Sequence, residues 1–215
     1  ISNMSHEIRT PLNAIEGFSG IIAQTDDADQ RHEYYKIVQS NSNQLLRLVN
    51  EVLDLSRMES GKVSFNVEPH SLNGLGEELE ATHRLSSVSA ELCFDRLETD
   101  FVLHTDRGRL VQVMSNLITN AIKFTPQGSI HFGCVIHEKV VEFYVHDSGV
   151  GIEPQYLDKV FDRFVKINDF DRGTGLGLAI CKAIVEKMGG EIAVESVLSK
   201  GTTFRFTVPI IMTEK

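Results

Sequence analysis

The chain has 215 residues, 41% of them hydrophobic and 24% charged, with a formal net charge of −9. This length allows one large domain or two small ones, and the apolar content is enough for a real core. The acidic balance argues against nucleic acid or an anionic membrane as the main partner, and no apolar run approaches the roughly 20 residues that span a bilayer.

Residues 1 to about 60 read as helix. A first helix runs from Ile1 to about Gln24, with Met4, Ile8, Leu12, Ile15, Phe18 and Ile22 on one arc. His6 falls opposite that arc, on a stripe with Asn3, Thr10 and Asn13, so its imidazole faces solvent. Taken alone, it is an ordinary solvated histidine. The segment Thr25–Asp29 breaks the helix, and Asp26, Asp27 or Asp29 can cap the next one. The second helix continues to about Ser60, where Gly61 supplies the stop. Its seam of Val38, Leu45, Leu48, Val52 and Leu55 is widened by Leu46, Val49 and Leu53. So wide a stripe exceeds what one partner helix covers. A second copy is the simplest cover, giving a dimeric four-helix bundle. The other way is packing on the chain's own second block.

From about Phe65 both periods are mixed. Asn73–Ser86 is helical, and Leu92–Leu103 has room for two short strands. Asp106 caps a helix from Arg107 to Phe124, stopped by Pro126. Ile130–Ile136 and Val141–Val145 alternate like a hairpin buried on one face. A glycine-rich helix follows from about Gly175 to Met188, then a last hairpin joins Glu191–Glu195 to Thr202–Val208. The expected fold is an α-helical hairpin followed by an α+β sandwich, with helices on one face of a mainly antiparallel sheet. The boundary is expected between 1–63 and 64–215.

Four features of the second block suit a nucleotide. Asn116, Asn120 and Lys123, at i, i+4 and i+7, form one polar strip that could hold Mg²⁺ and phosphate oxygens, although most such strips are merely solvated. Asp147-Ser148-Gly149-Val150-Gly151 ends a strand; its carboxylate can accept from an amino group, and glycines let backbone approach a ring. It is equally an ordinary turn. Gly173-Thr174-Gly175-Leu176-Gly177 opens a helix whose free N–H groups suit phosphate. It is neither a Walker A loop nor a dinucleotide fingerprint. Lys200-Gly201-Thr202-Thr203-Phe204 is a glycine turn into the last strand. Cys93, Cys134 and Cys181 lack metal spacing and read as reduced thiols of a cytoplasmic compartment.

The order of these features carries more than any one of them. Asn3-Met4-Ser5-His6-Glu7-Ile8-Arg9-Thr10-Pro11-Leu12, the Asn116 helix, Asp147-Ser148-Gly149, Phe161 with Phe164, Gly173-Thr174-Gly175 and Gly201 resemble the H, N, G1, F, G2 and G3 boxes of sensor histidine kinases, in sequence order and along nearly the whole chain. The resemblance implies a dimerisation and histidine-phosphotransfer hairpin and a Bergerat-type ATP-binding domain. It implies that His6 accepts the γ-phosphoryl group of ATP, with Glu7 as the base or orienting carboxylate and Thr10 positioning water for dephosphorylating the partner. Asn116 would ligate Mg²⁺, Asn120 and Lys123 would contact phosphates, and Asp147 would bind the adenine amino group. Phe124 would lie against the base. Gly149, Gly151, Leu176 and Thr202 would complete the nucleotide site, and Gly173, Thr174, Gly175 and Gly177 would cradle phosphates. Phe161 and Phe164 would anchor a lid, Val165–Arg172, that is shorter than in many members and carries Asp169 and Asp171, with Arg172 meeting the leaving phosphate.

The implied partners are a second copy of the chain and a response-regulator receiver domain. The chain opens inside a helical pattern, so a longer parent is expected. Its sensor, a membrane anchor and, as the wording around His6 suggests for hybrid kinases, a receiver domain would lie outside these residues. Two other readings stay open. One is an ATPase of the same nucleotide fold, disfavoured by the histidine-bearing hairpin. The other is a pseudokinase scaffold, disfavoured because every motif residue is present.

Overall fold

The computed structural model describes residues 2–61, 64–86, 90–165 and 173–211. Helices α1 (Ser2–Gln24) and α2 (Ala28–Glu59) form the hairpin. Of the three candidate caps, Asp27 is the one used: its carboxylate accepts from the N–H of Asp29 at 2.8 Å and of Gln30 at 3.2 Å. At the far end Gly61, at φ +67°, takes the left-handed conformation that ends the helix.

The second block follows as β1 (Glu68–Ser71), α3 (Leu72–Arg84), β2 (Ala90–Asp95), β3 (Val102–Thr105), α4 (Arg107–Phe124), β4 (Gly128–Ile136), β5 (Val140–Asp147), α5 (Pro154–Leu157), α6 (Gly177–Lys187), β6 (Ile192–Val197) and β7 (Gly201–Pro209). Five strands form one sheet in the order β2-β4-β5-β7-β6, and β1 pairs with β3 in a separate ribbon. The sheet is antiparallel except between β2 and β4. A parallel neighbour needs a crossover, and α4 lies on the path that provides it. That parallel pair, strand β1 and the single-turn α5 were not expected from sequence. The glycine-rich helix starts two residues later than expected, because Gly175 sits at φ +70°, outside the helical region.

Alternation along the strands builds the core and aims the site together. On β5, Val141, Phe143 and Val145 are buried toward the helices. The same period brings Asp147 to that face at the strand's end. On β7, Phe204, Phe206 and Val208 are buried likewise, so Thr202 points inward and pairs with Asp147. Opposite them, α4 contributes Leu110, Val113, Leu117 and Ile118, all fully buried.

The wide stripe of α2 is divided. Leu55 and Met58 join the core cluster of the second block, which makes the hairpin and the α+β unit share buried surface. Leu46, at 63% exposure, and Val49 and Leu53 remain outward, with Leu12 and Ile21 of α1. Packing on the chain's own second block therefore accounts for one edge of the stripe; Leu48 is buried as well, and Leu46, Val49 and Leu53 lie open.

Asp106 couples the start of α4 to the segment that leaves the hairpin. One carboxylate oxygen accepts from Arg109 N–H at 3.0 Å, and the other from Asn66 N–H at 2.9 Å. Asp106→Ala should cost about 1–2 kcal/mol of stability, the upper range for loss of a helix cap. Urea unfolding of the two proteins measures it; an unchanged midpoint would show the cap to be idle.

Candidate functional site

A cavity of about 280 Å³ lies between α4, the ends of β5 and β7, and the loop before α6. That is close to the lower end of small-molecule sites, about 300–1,000 Å³. Asn116, Asn120 and Lys123 line it from α4, on the strip beside the buried face formed by Val113, Leu117 and Ala121. Phe124 closes the same wall, with the Lys123 ammonium 4.8 Å from its ring centre. Val150, Gly151 and Ile152 supply a less polar end beyond Asp147.

Asp147 is buried, 4% exposed, at the floor of that end. Burial pushes its carboxyl above the usual aspartate range. Opposing this are the N–H groups of Gly149, at 2.9 Å, and Thr202, then the charge of His146 and the hydroxyl of Thr125. A carboxylate so placed is a single strong acceptor in an otherwise largely apolar recess, which suits the amino group of a base.

At the other end the chain runs Gly173-Thr174-Gly175 into α6. Phe164 N–H donates to Gly175 O at 2.8 Å, which ties the two stems of the intervening segment together. Phe161 meets Phe204 edge-on at 6.2 Å. Gly173, Thr174, Gly175 and Gly177 line the cavity. A Cβ at Gly177 would stand 2.9 Å from Asn116 Oδ1, so only glycine leaves this approach open. The Asn116 amide donates to Gly177 O at 2.9 Å and contacts Cys181 Sγ at 3.6 Å. The first N–H groups of α6 have no intrahelical acceptor and open toward an anion.

Leu176 and Gly149 stand apart from the other expected residues. The Leu176 side chain is fully buried in the core, and its N–H donates to Thr174 Oγ at 3.3 Å. Gly149 lies beneath the cavity: a Cβ there would be 2.2 Å from Phe124 O. Thr202 lines the cavity, with its hydroxyl 2.9 Å from Ser196 Oγ. Arg172, Asp169 and Asp171 of the expected lid lie outside the described residues.

Sequence reading missed a wall. Gln44, Arg47 and Glu51 of α2 also line the cavity. Thr174 Oγ donates to the Glu51 carboxylate, and burial raises the Glu51 pKa against that bond and the Arg47 charge. Further along α2, Asp54 accepts from Gln112 at 3.3 Å and faces Arg109 at 3.8 Å, and Glu59 pairs with Arg163. An acidic row at 51, 54 and 59 was the available signal, but partners so distant in sequence could not be read.

His6 is on the exposed side of α1, as its wheel position requires. Glu7 beside it is half-buried, and the Thr10 hydroxyl donates to the His6 carbonyl at 3.2 Å. Pro11 stands inside the helix just beyond, with no N–H to give to the turn that carries His6. The Phe18–Tyr34 ring contact, 5.7 Å between centres, sets the register of the hairpin. Counting back from it at equal rise in both helices puts His6 at about the level of Leu46, between Gln44 and Arg47.

Comparison with known proteins finds two families along the chain. Residues 1–61 match the His Kinase A (phospho-acceptor) domain, and residues 105–211 match the histidine kinase-, DNA gyrase B-, and HSP90-like ATPase family. The autoinducer 2 sensor kinase/phosphatase LuxQ of Vibrio vulnificus is 35% identical over 226 residues, covering 98% of this chain and 26% of that protein. The sensor protein SrrB of Staphylococcus aureus is 37% identical over 218 residues, covering 97% and 37%. The chain thus spans about a quarter to a little over a third of these curated relatives. Among solved structures, the Acinetobacter baumannii histidine kinase AdeS superposes with a TM-score of 0.80 at 26% identity, over 96% of this chain and 98% of that one. The catalytic domain of the histidine kinase ThkA is 31% identical with a TM-score of 0.60, covering 68% of this chain and 97% of that one. The chain belongs to the sensor histidine kinases, and comprises a phospho-acceptor hairpin joined to an ATP-binding domain of the gyrase and HSP90 type.

Replacing Asp147 by Asn removes the charge and can turn an NH₂ donor into the cavity where the carboxylate only accepts. ATP binding should weaken by about 1.5–3 kcal/mol, the scale of a hydrogen bond to a charged group. In the unaltered chain the same binding should fade on acidification sooner than for an ordinary aspartate, since its raised pKa brings protonation to higher pH. Titration calorimetry from neutral to mildly acidic pH checks both; equal affinity in the two proteins would remove Asp147 from the base site.

Proposed function

We propose that this core transfers the γ-phosphoryl group of ATP to His6 and then to an aspartate of a response-regulator receiver domain. The carrying observation is the common height of the two centres. His6 is exposed at the level on the hairpin where Gln44 and Arg47 line the nucleotide cavity. A phosphoryl donor in that cavity and an acceptor at that level are brought together by a movement of the ATP-binding unit relative to the hairpin.

The roles follow from chemistry at each residue. A ring nitrogen of neutral His6 attacks the γ-phosphorus, the bond to the β–γ bridging oxygen breaks, and ADP leaves with that electron pair. Glu7 takes up the proton lost from the second ring nitrogen. Such transfer needs positioning and charge neutralisation more than covalent help. Lys123, Asn120 and the α6 N-terminus meet the phosphates, and Thr174 and Gly173 to Gly177 shape the cradle. Asp147 accepts from the adenine amino group with Phe124 against the base. Because the Asn116 amide donors are directed at Gly177 O and Cys181 Sγ, its Oδ1 is the oxygen available to Mg²⁺, which seeks hard oxygen ligands and offsets phosphate charge.

The same reading assigns partners. The outward Leu12, Ile21, Leu46, Val49 and Leu53 suit a second copy, and we place the junction of the two functional parts after residue 63. A solved complex of ThkA with the response regulator protein TrrA resembles this chain at 28% identity and a TM-score of 0.78, which supports a receiver domain as the second acceptor. Thr10 beside His6 is the candidate for returning the regulator to its unphosphorylated form.

His6→Gln should abolish acid-labile, alkali-stable phosphate incorporation and leave ATP affinity unchanged, since His6 is on the hairpin and outside the cavity wall. Retained acid-labile label in that variant would sink the assignment. The Glu51–Thr174 bond, in turn, must open before a triphosphate can use Thr174. Glu51→Ala should tighten ATP binding about three- to tenfold, the scale of one ordinary hydrogen bond, without altering adenosine binding. If adenosine gains as much as ATP, or neither gains, Glu51 does not compete with phosphate.

A further inference from the structure

Among the described residues, one buried side-chain polar atom makes no well-formed hydrogen bond, and it is Thr125 Oγ, which lies near enough to the Asp147 carboxylate to favour its charge without being aligned on it. Thr125 is 2% exposed and follows Phe124 as the C-cap of α4, at φ −116° and ψ 81°. Leaving a buried hydroxyl without a good partner is destabilising, and a valine of the same shape would avoid it. The position of the hydroxyl gives it a use. A Cβ built on Gly149 would lie 2.8 Å from Thr125 Oγ and 2.8 Å from Asp147 Oδ1, so the hydroxyl and the carboxylate converge on one small space behind the base site. Asp147 Oδ1 already accepts the Gly149 N–H at 2.9 Å.

We propose that Thr125 is a positioning residue for nucleobase selection: its hydroxyl, donated to Asp147 as the base binds, holds that carboxylate as an acceptor and so favours adenine over guanine. The chemistry behind this is a choice between two states of one group. Ionised Asp147 accepts from an amino group and repels the carbonyl oxygen that guanine presents at the same place. Protonated Asp147 would instead donate to that oxygen. Burial pushes Asp147 toward the protonated state, and donors push it back. The donors are the N–H groups of Gly149 and Thr202 and the Thr125 hydroxyl, with His146 the neighbouring titratable group on β5 and Lys123 the cation lining the cavity from α4. Thr125 is the one of these donors that a side-chain substitution can delete without touching the backbone.

The inference rests on the adenine role of Asp147, and the test separates the two. Thr125→Val and Thr125→Ser are made in the whole chain, and binding of ATP and GTP is titrated from pH 5.5 to 8.5 beside Asp147→Asn. Thr125→Val should lose about tenfold in ATP affinity, the scale of one charged hydrogen bond. Its ATP binding should fail at higher pH than in the unaltered chain, and its preference for ATP over GTP should fall by a similar factor. Thr125→Ser should restore all three, and without nucleotide Thr125→Val should melt no lower than the unaltered chain. Unchanged ATP affinity and preference in Thr125→Val, with Asp147→Asn impaired, would overturn the role of Thr125 alone. Equal losses for ATP and GTP with a lowered melting temperature would overturn it too, by showing a purely structural part. Unchanged ATP binding in Asp147→Asn would remove the adenine reading on which it stands.

Discussion

A carboxylate at the inner end of a central strand is costly to bury, and the fold around Asp147 is arranged so that it can be. Isolated in an apolar medium, such a group would simply take up a proton. Here the neighbouring strand β7 offers the Thr202 N–H, the turn after β5 offers the Gly149 N–H, and Thr125 at the end of α4 brings a hydroxyl. The glycine at 201 lets β7 pass close enough: a Cβ there would stand 1.9 Å from Asp147 O. Those four neighbours come from three separate elements. The closure of α4 onto β5 and β7 is thus as much a condition for the charge as for the core.

The same periodicities that hide apolar side chains deliver the polar ones. Period two along β5 puts Asp147 in line with Val141, Phe143 and Val145. Period 3.6 along α4 sets Asn116, Asn120 and Lys123 one step around from Val113, Leu117 and Ala121. The cavity therefore lies where the sheet ends and the helix edge meet, and no separate scaffold is needed to hold it. On α1 the rule works in the other direction: His6 is reachable because it is out of phase with Met4, Ile8 and Ile15.

Local signals made much of this legible. Asp27, Asp106, Pro126 and Gly61 act within a turn of their own positions, so helix limits could be read from them. The alternation of β4 and β5 likewise needs no distant partner. What resisted reading was nonlocal. Strand β1 contains Pro69 and charged Glu68, and exists because Val102–Thr105 pairs with it. The parallel β2–β4 contact depends on a crossover, not on the composition of either strand. In the glycine-rich segment, the left-handed turn at Gly175 delays the helix, and Leu176 turns inward to become core. The α2 wall was hidden for the same reason: Glu51 and Thr174 are 123 residues apart in the chain.

Leu55 and Met58 act as a mechanical anchor. They are anchored in the core of the ATP-binding unit while belonging to a helix of 32 residues whose other turns run through the hairpin. A rigid helix cannot move at one end alone. Sliding α2 by one residue's rise, about 1.5 Å, would carry Glu51 out of reach of Thr174 and pull Met58 against its packing. The shape of the Thr174 end of the cavity and the position of the hairpin are then a single displacement coordinate. By reciprocity of binding free energies, whatever shifts the helix alters how tightly nucleotide is held, and nucleotide exerts the same pull on the helix.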